Sequence, residues 1–137
     1  MKKSILLTLM AVLVILSFAS CKETPTGLWA DATYTEDTVL GEGDTTFTLA
    51  VTAEEKTVKF TISTDKETLG EALTDLELID GEVGDYGLYV TEVNGMTLVY
   101  DTHGMYWSVT ENGKDAMTGV DGVILQDGGE YGLVAAK

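Results

Sequence analysis

The chain has 137 residues, with 23 acidic residues against eight lysines and no arginine, a formal charge of −15. That length fits one domain, and that charge repels phosphate backbones and excludes nucleic acid as a partner. One cysteine and one histidine allow no intramolecular disulfide, no cysteine-based zinc site and no two-histidine metal motif.

Met1 is followed by Lys2 and Lys3, and the stretch Ser4 to Ser20 is uncharged and dominated by Leu, Ile, Val and Met. A basic start, an apolar run and the small residues Ala19 and Ser20 ahead of Cys21 mark residues 1–20 as a secretory signal peptide. The run falls short of the ~20 apolar residues of a typical spanning helix. Phe18-Ala19-Ser20-Cys21 resembles a bacterial lipobox, with Phe18 where Leu is usual. Cys21 is therefore expected to be lipidated after cleavage, holding the chain on the outer, extracytoplasmic face of the cell membrane. The competing reading is an ordinary export signal followed by a chance cysteine. Cleavage would remove two lysines and no acids, leaving six bases against 23 acids, a formal −17. Such a charge disfavours anionic lipid and favours cationic partners.

Residues 21–27 hold the one proline, Pro25, and no apolar pattern, and read as a short lipidated tether ahead of a single domain over 28–137. Leu28 to Tyr34 is expected as a first strand. Phe47, Leu49 and Val51 alternate with threonines, as do Val58, Phe60 and Ile62 with Thr57, Lys59, Thr61 and Ser63. This is the period of half-buried strands, joined by a hairpin at Ala53–Lys56. The period then changes. Leu69, Ala72, Leu73 and Leu76 share one helical face, and Thr64 with Glu67 has the spacing of a capping box, which predicts a short helix over 65–75. Beyond it, Gly81 and Gly84 flank an acidic loop. Strands are expected over 86–93, 96–100, 105–110, 123–125 and from Tyr131 on, with Asn94-Gly95 and Asn112-Gly113 as tight turns. Two hairpin strands, a helix, then several strands describe an α+β roll: a mixed, mostly antiparallel sheet with one short helix packed on one face.

The ordered set Thr68-Leu69-Gly70-Glu71-Ala72-Leu73, Tyr86-Gly87-Leu88-Tyr89-Val90, Val93-Asn94-Gly95, Tyr106-Trp107, Asn112-Gly113, Ala116-Met117-Thr118-Gly119-Val120-Asp121 and Asp127-Gly128 resembles the transcobalamin-like C-terminal domain family. These are small domains of exported bacterial proteins, many of them lipoproteins, and the resemblance spans roughly residues 28–136. It implies a β-grasp-like fold and brings in cobalamin as a candidate ligand. In the transcobalamins, however, the corrinoid is bound mainly by a separate helical domain, which this chain lacks.

Tests for catalysis fail one after another. His103 has no nucleophile elbow to serve, because Ser63 and Ser108, the serines beyond the leader, lie in no G-x-S-x-G setting. It reads as a surface-turn histidine. Carboxylates abound, but a small sheet-rich domain rarely builds the cleft that would pair two of them. No enzymatic activity is expected. Asp80–Asp85 lacks EF-hand spacing and reads as solvated acidic surface rather than a calcium loop. The aromatic residues are more informative. Alternation puts Trp107, with Met105 and Val109, on the core face and Tyr106 on the other. Tyr106, Tyr89 and Tyr86 are the candidate ligand contacts. The expected role is non-catalytic binding of a small ligand such as a corrinoid, with a protein-interaction or structural envelope module as the alternative.

Overall fold

The computed structural model describes residues 25–137. The expected leader, residues 1–20, and the expected lipidation site Cys21 lie outside the described residues. The chain enters through a 3-10 turn, Gly27–Asp31, instead of the expected first strand. Trp29 explains this: its side chain is buried and its indole N–H donates to the Ala53 carbonyl at 2.9 Å, so the segment curls over the end of the first hairpin. Lys56 Nζ sits 4.8 Å from the centre of the same indole ring, in cation–π range.

Among the described residues nine strands follow: β1 (Thr38–Gly41), β2 (Thr45–Ala53), β3 (Lys56–Thr64), β4 (Ile79–Gly84), β5 (Gly87–Val93), β6 (Met96–Thr97), β7 (Tyr106–Glu111), β8 (Lys114–Asp115) and β9 (Glu130–Ala136). They form a six-stranded sheet in the order β1-β3-β2-β9-β7-β8 and a three-stranded sheet in the order β4-β5-β6. Most pairings are antiparallel; β1 with β3 and β2 with β9 are parallel. The architecture is the α+β roll expected. One main helix, α1 (Leu69–Asp75), is followed later by a single helical turn, α2 (Tyr100–His103).

The period-2 residues behave as their spacing requires. Phe47, Leu49, Val51, Val58, Phe60 and Ile62 point to one face of the large sheet and are buried, with Tyr131 and Leu133 of β9 beside them. Leu69, Ala72 and Leu73 of α1 and Ile79, Val90, Val93 and Met96 of the small sheet complete the same cluster. The opposite face of the large sheet is open and rich in hydroxyls, with Thr46 bonded to Ser63 at 3.0 Å and Thr52 to Thr57 at 2.9 Å.

Several local expectations give way to longer-range contacts. The helix is capped by Thr68, not Thr64: the Thr68 hydroxyl accepts the Glu71 amide N–H at 3.2 Å and lies 3.3 Å from its carboxylate. That choice follows from Leu69 donating to the Val123 carbonyl and Leu125 to the Glu67 carbonyl, which pins 123–125 alongside the helix start. The segment 123–125 is thus not a strand; it makes one isolated bridge, Thr68 to Ile124. The acidic run 80–84 is not a loop but part of the β4 arm of a hairpin, with a register shift between Asp80 and Gly81, and Asp85 begins the hairpin's tip. After β6 the chain turns into α2 and does not stay extended to Tyr100.

Candidate functional site

The β4–β5 hairpin closes through the pair Gly84 and Gly87, leaving Asp85 and Tyr86 as its two-residue tip. Gly87 has φ +99°, a conformation that side chains disfavour, so the tight tip needs glycine there. The tip projects Tyr86 wholly into solvent, and Met117 from the β8–β9 connection is equally exposed, at 98%. The two side chains line one groove of about 550 Å³, with Ala116, Thr118 and the backbone of Gly119 and Gly122.

A second groove of about 460 Å³ lies between α1 and the hairpin. Ile79, Val83 and Leu88 give it apolar patches, and Val83 is 85% exposed. Glu71 and Asp75 of α1, Asp80 of β4 and Asp121 bring four carboxylates to it, with Lys66 as the lining base among the described residues. Asp121 belongs to both grooves. It sits in the 3-10 turn Val120–Gly122, and its Oδ2 accepts the Leu88 amide N–H at 2.8 Å. Its carboxylate also fills the space where a side chain on Gly70 or Gly87 would go. Between the grooves, the Asp121 carboxylate is thereby bonded to the hairpin and packed against the helix at Gly70.

The three tyrosines singled out by sequence do not form one surface. Tyr86 lines the first groove. Tyr89 is 50% exposed, but it lies opposite Glu82 and alternates away from Leu88, which lines the second groove. Tyr106 is on the large sheet, opposite Ala136, and is 37% exposed, whereas its neighbour Trp107 is buried. His103 is exposed and its Nδ1 accepts the Val99 amide N–H at 2.9 Å, closing the α2 turn. Among the described residues no group of three or more His, Cys, Asp or Glu side chains is placed to hold a metal ion. Sequence reasoning passed over Met117, Val83 and Asp121 as site residues. Single exposed side chains in irregular segments have no periodicity to betray them, and only the chain's return past α1 gives Asp121 its role.

The family model described as "Domain of unknown function (DUF4430)" matches residues 66–130, a span that includes every side chain lining both grooves. No curated protein matches the chain. Haptocorrin, solved in complex with Cbi, has the same fold with a TM-score of 0.51 and 16% identity, over 68% of this chain and 25% of haptocorrin. A crystal structure from Ruminococcus gnavus ATCC 29149, of a protein provisionally named as metal-binding, superposes with a TM-score of 0.65 and 30% identity, over 69% of this chain and 98% of the other. With that identity over nearly the full length of the Ruminococcus protein, the chain belongs to the same family, one of small domains with a transcobalamin-like fold.

Proposed function

We propose that the chain is a non-catalytic binding domain, tethered to the outer face of the cell membrane by lipid on Cys21, and that it binds through the two grooves beside the β4–β5 hairpin. The observation that carries this reading is the pair Tyr86 and Met117. Two large apolar side chains stand almost entirely in water across one groove, where they contribute nothing to the core. Grouped exposed apolar side chains mark binding surfaces more often than single ones do. The anchor part of the reading rests on the basic, apolar and small-residue pattern ending at Cys21.

A corrinoid is the small-molecule occupant that the likeness to haptocorrin brings with it. A protein segment is the second occupant, favoured by the position of Tyr86 on a projecting, solvent-exposed tip beside the grooves. Neither occupant calls for a catalytic group. The test is a thermal-shift screen of the mature chain against cobalamin, haem and Ca²⁺. A ligand binding the native state raises the midpoint once its free concentration exceeds Kd. A midpoint rise that disappears in Tyr86→Ser with Met117→Ser supports binding at the grooves. A rise that survives both substitutions places the binding elsewhere and overturns that part of the reading.

A further inference from the structure

We infer that the partner docking on these grooves is a basic peptide segment carrying a bulky apolar side chain, supplied by another exported protein. This deepens the proposed binding role and rests on the grooves being the binding surface. The argument is charge complementarity joined to an apolar anchor site. Glu71, Asp75, Asp80 and Asp121 face one groove against the ammonium of Lys66. Like charges gathered around one groove repel each other and attract cations.

The kind of cation follows from the spacing. No three carboxylates among the described residues converge closely enough to hold a metal ion. They are spread along α1, β4 and the 3-10 turn, and so match a ligand whose positive groups are also spread. Directly across Asp121, the adjoining groove offers Tyr86 and Met117. Tyrosine gives a rigid flat face, and methionine adapts to an irregular apolar shape. A chain with lysine or arginine beside a large apolar residue satisfies both walls at once. A small polyamine satisfies only the acidic one. A second copy of this chain is disfavoured, because it would bring the same carboxylates to the contact.

The test uses the mature chain, from residue 21 on, and the acetylated, amidated peptide Lys-Leu-Lys-Trp-Lys-Leu-Lys, followed by amide chemical shifts. Shifts are expected over 70–75, at Leu88 and over 116–122. Tyr86→Ser with Met117→Ser should weaken binding about tenfold or more, with an unchanged melting midpoint. High salt should weaken it about tenfold, and replacing the peptide's lysines by glutamates should abolish it. Equal affinity for spermidine, shifts centred on the open sheet face, or no shifts at millimolar peptide would overturn the inference. If cobalamin moves the groove amides while the peptide does not, the peptide is wrong and the groove reading stands. If no probe moves them, both fail.

Discussion

The Asp121 carboxylate takes the Leu88 amide N–H at 2.8 Å and at the same time closes off the space above Gly70. Helix α1 and the β4–β5 hairpin are thereby held at the separation that forms the acidic groove. The contact explains a residue that local propensity disfavours. A glycine inside a helix costs roughly 1 kcal/mol against alanine, yet Gly70 is buried in the first turn of a seven-residue helix.

Gly70→Ala should therefore destabilise the domain by about 1–2 kcal/mol, because the crowding outweighs the propensity gain. In an Asp121→Ala background the same change should be neutral or stabilising by up to about 1 kcal/mol. A double-mutant cycle in urea reads the coupling. Additive effects would show that the carboxylate moves aside freely.

How much of this was legible in the sequence depends on the range of the interaction. Phe47 to Val51 and Val58 to Ile62 pair with each other across a two-residue turn, and their burial follows directly from their alternation. The helix was legible from Leu69, Ala72 and Leu73, but its start was not. Thr64-x-x-Glu67 and Thr68-x-x-Glu71 are equivalent as strings, and the choice is made by Val123 and Leu125, more than fifty positions away. Leu28 to Tyr34 departs from the expected strand for a similar reason: Trp29 is fixed by Ala53, a partner 24 positions away. In the site, Tyr86 could be named as an exposed ring candidate. Asp121 could not, because its role exists only once α1 and the hairpin meet.

Asn94 was legible as a turn residue, and its φ of +52° fits that reading, but its burial to 1% exposure was not. Its side chain pairs with the Tyr34 backbone as a strand would, accepting from N–H at 2.9 Å and donating to C=O at 2.8 Å. Asn94→Asp removes the donor and buries a carboxyl. At neutral pH it should cost about 1–3 kcal/mol or more. Burial opposite a carbonyl raises the folded-state pKa of the new carboxyl above the ~3.9 of an unfolded aspartate. The deficit relative to the parent should therefore be small below pH ~4 and should grow as pH rises through the raised folded value. Denaturation of both proteins across that range measures it; a pH-independent deficit would mean that the side chain leaves the site.

The lipid anchor is tested by one atom. Cys21→Ala should release the protein from the membrane fraction or block its processing, since no other thiol can take the lipid. A substituted protein that stays membrane-bound and is processed normally would rule the anchor out.

The strand β7 carries the last prediction. Trp107 is 5% exposed and Tyr106 37%, so adjacent rings face opposite sides of one strand. Trp107 has a further peculiarity: its indole N–H is buried and has no hydrogen-bond partner among the described residues, whereas that of Trp29 reaches the Ala53 carbonyl. A buried unpaired donor costs roughly 1–3 kcal/mol. Trp107→Ala should destabilise by about 3–5 kcal/mol through the cavity it leaves. Trp107→Phe keeps most of the ring and deletes the unpaired donor, so its net cost should stay below about 1.5 kcal/mol. Tyr106→Ala should change stability by only about 0.5 kcal/mol, as expected for a partly exposed side chain outside the core. Urea midpoints of the three variants decide the matter. If Trp107→Phe costs as much as Trp107→Ala, the indole N–H has an acceptor in solution, and an ordered water beside β7 becomes the first thing to look for.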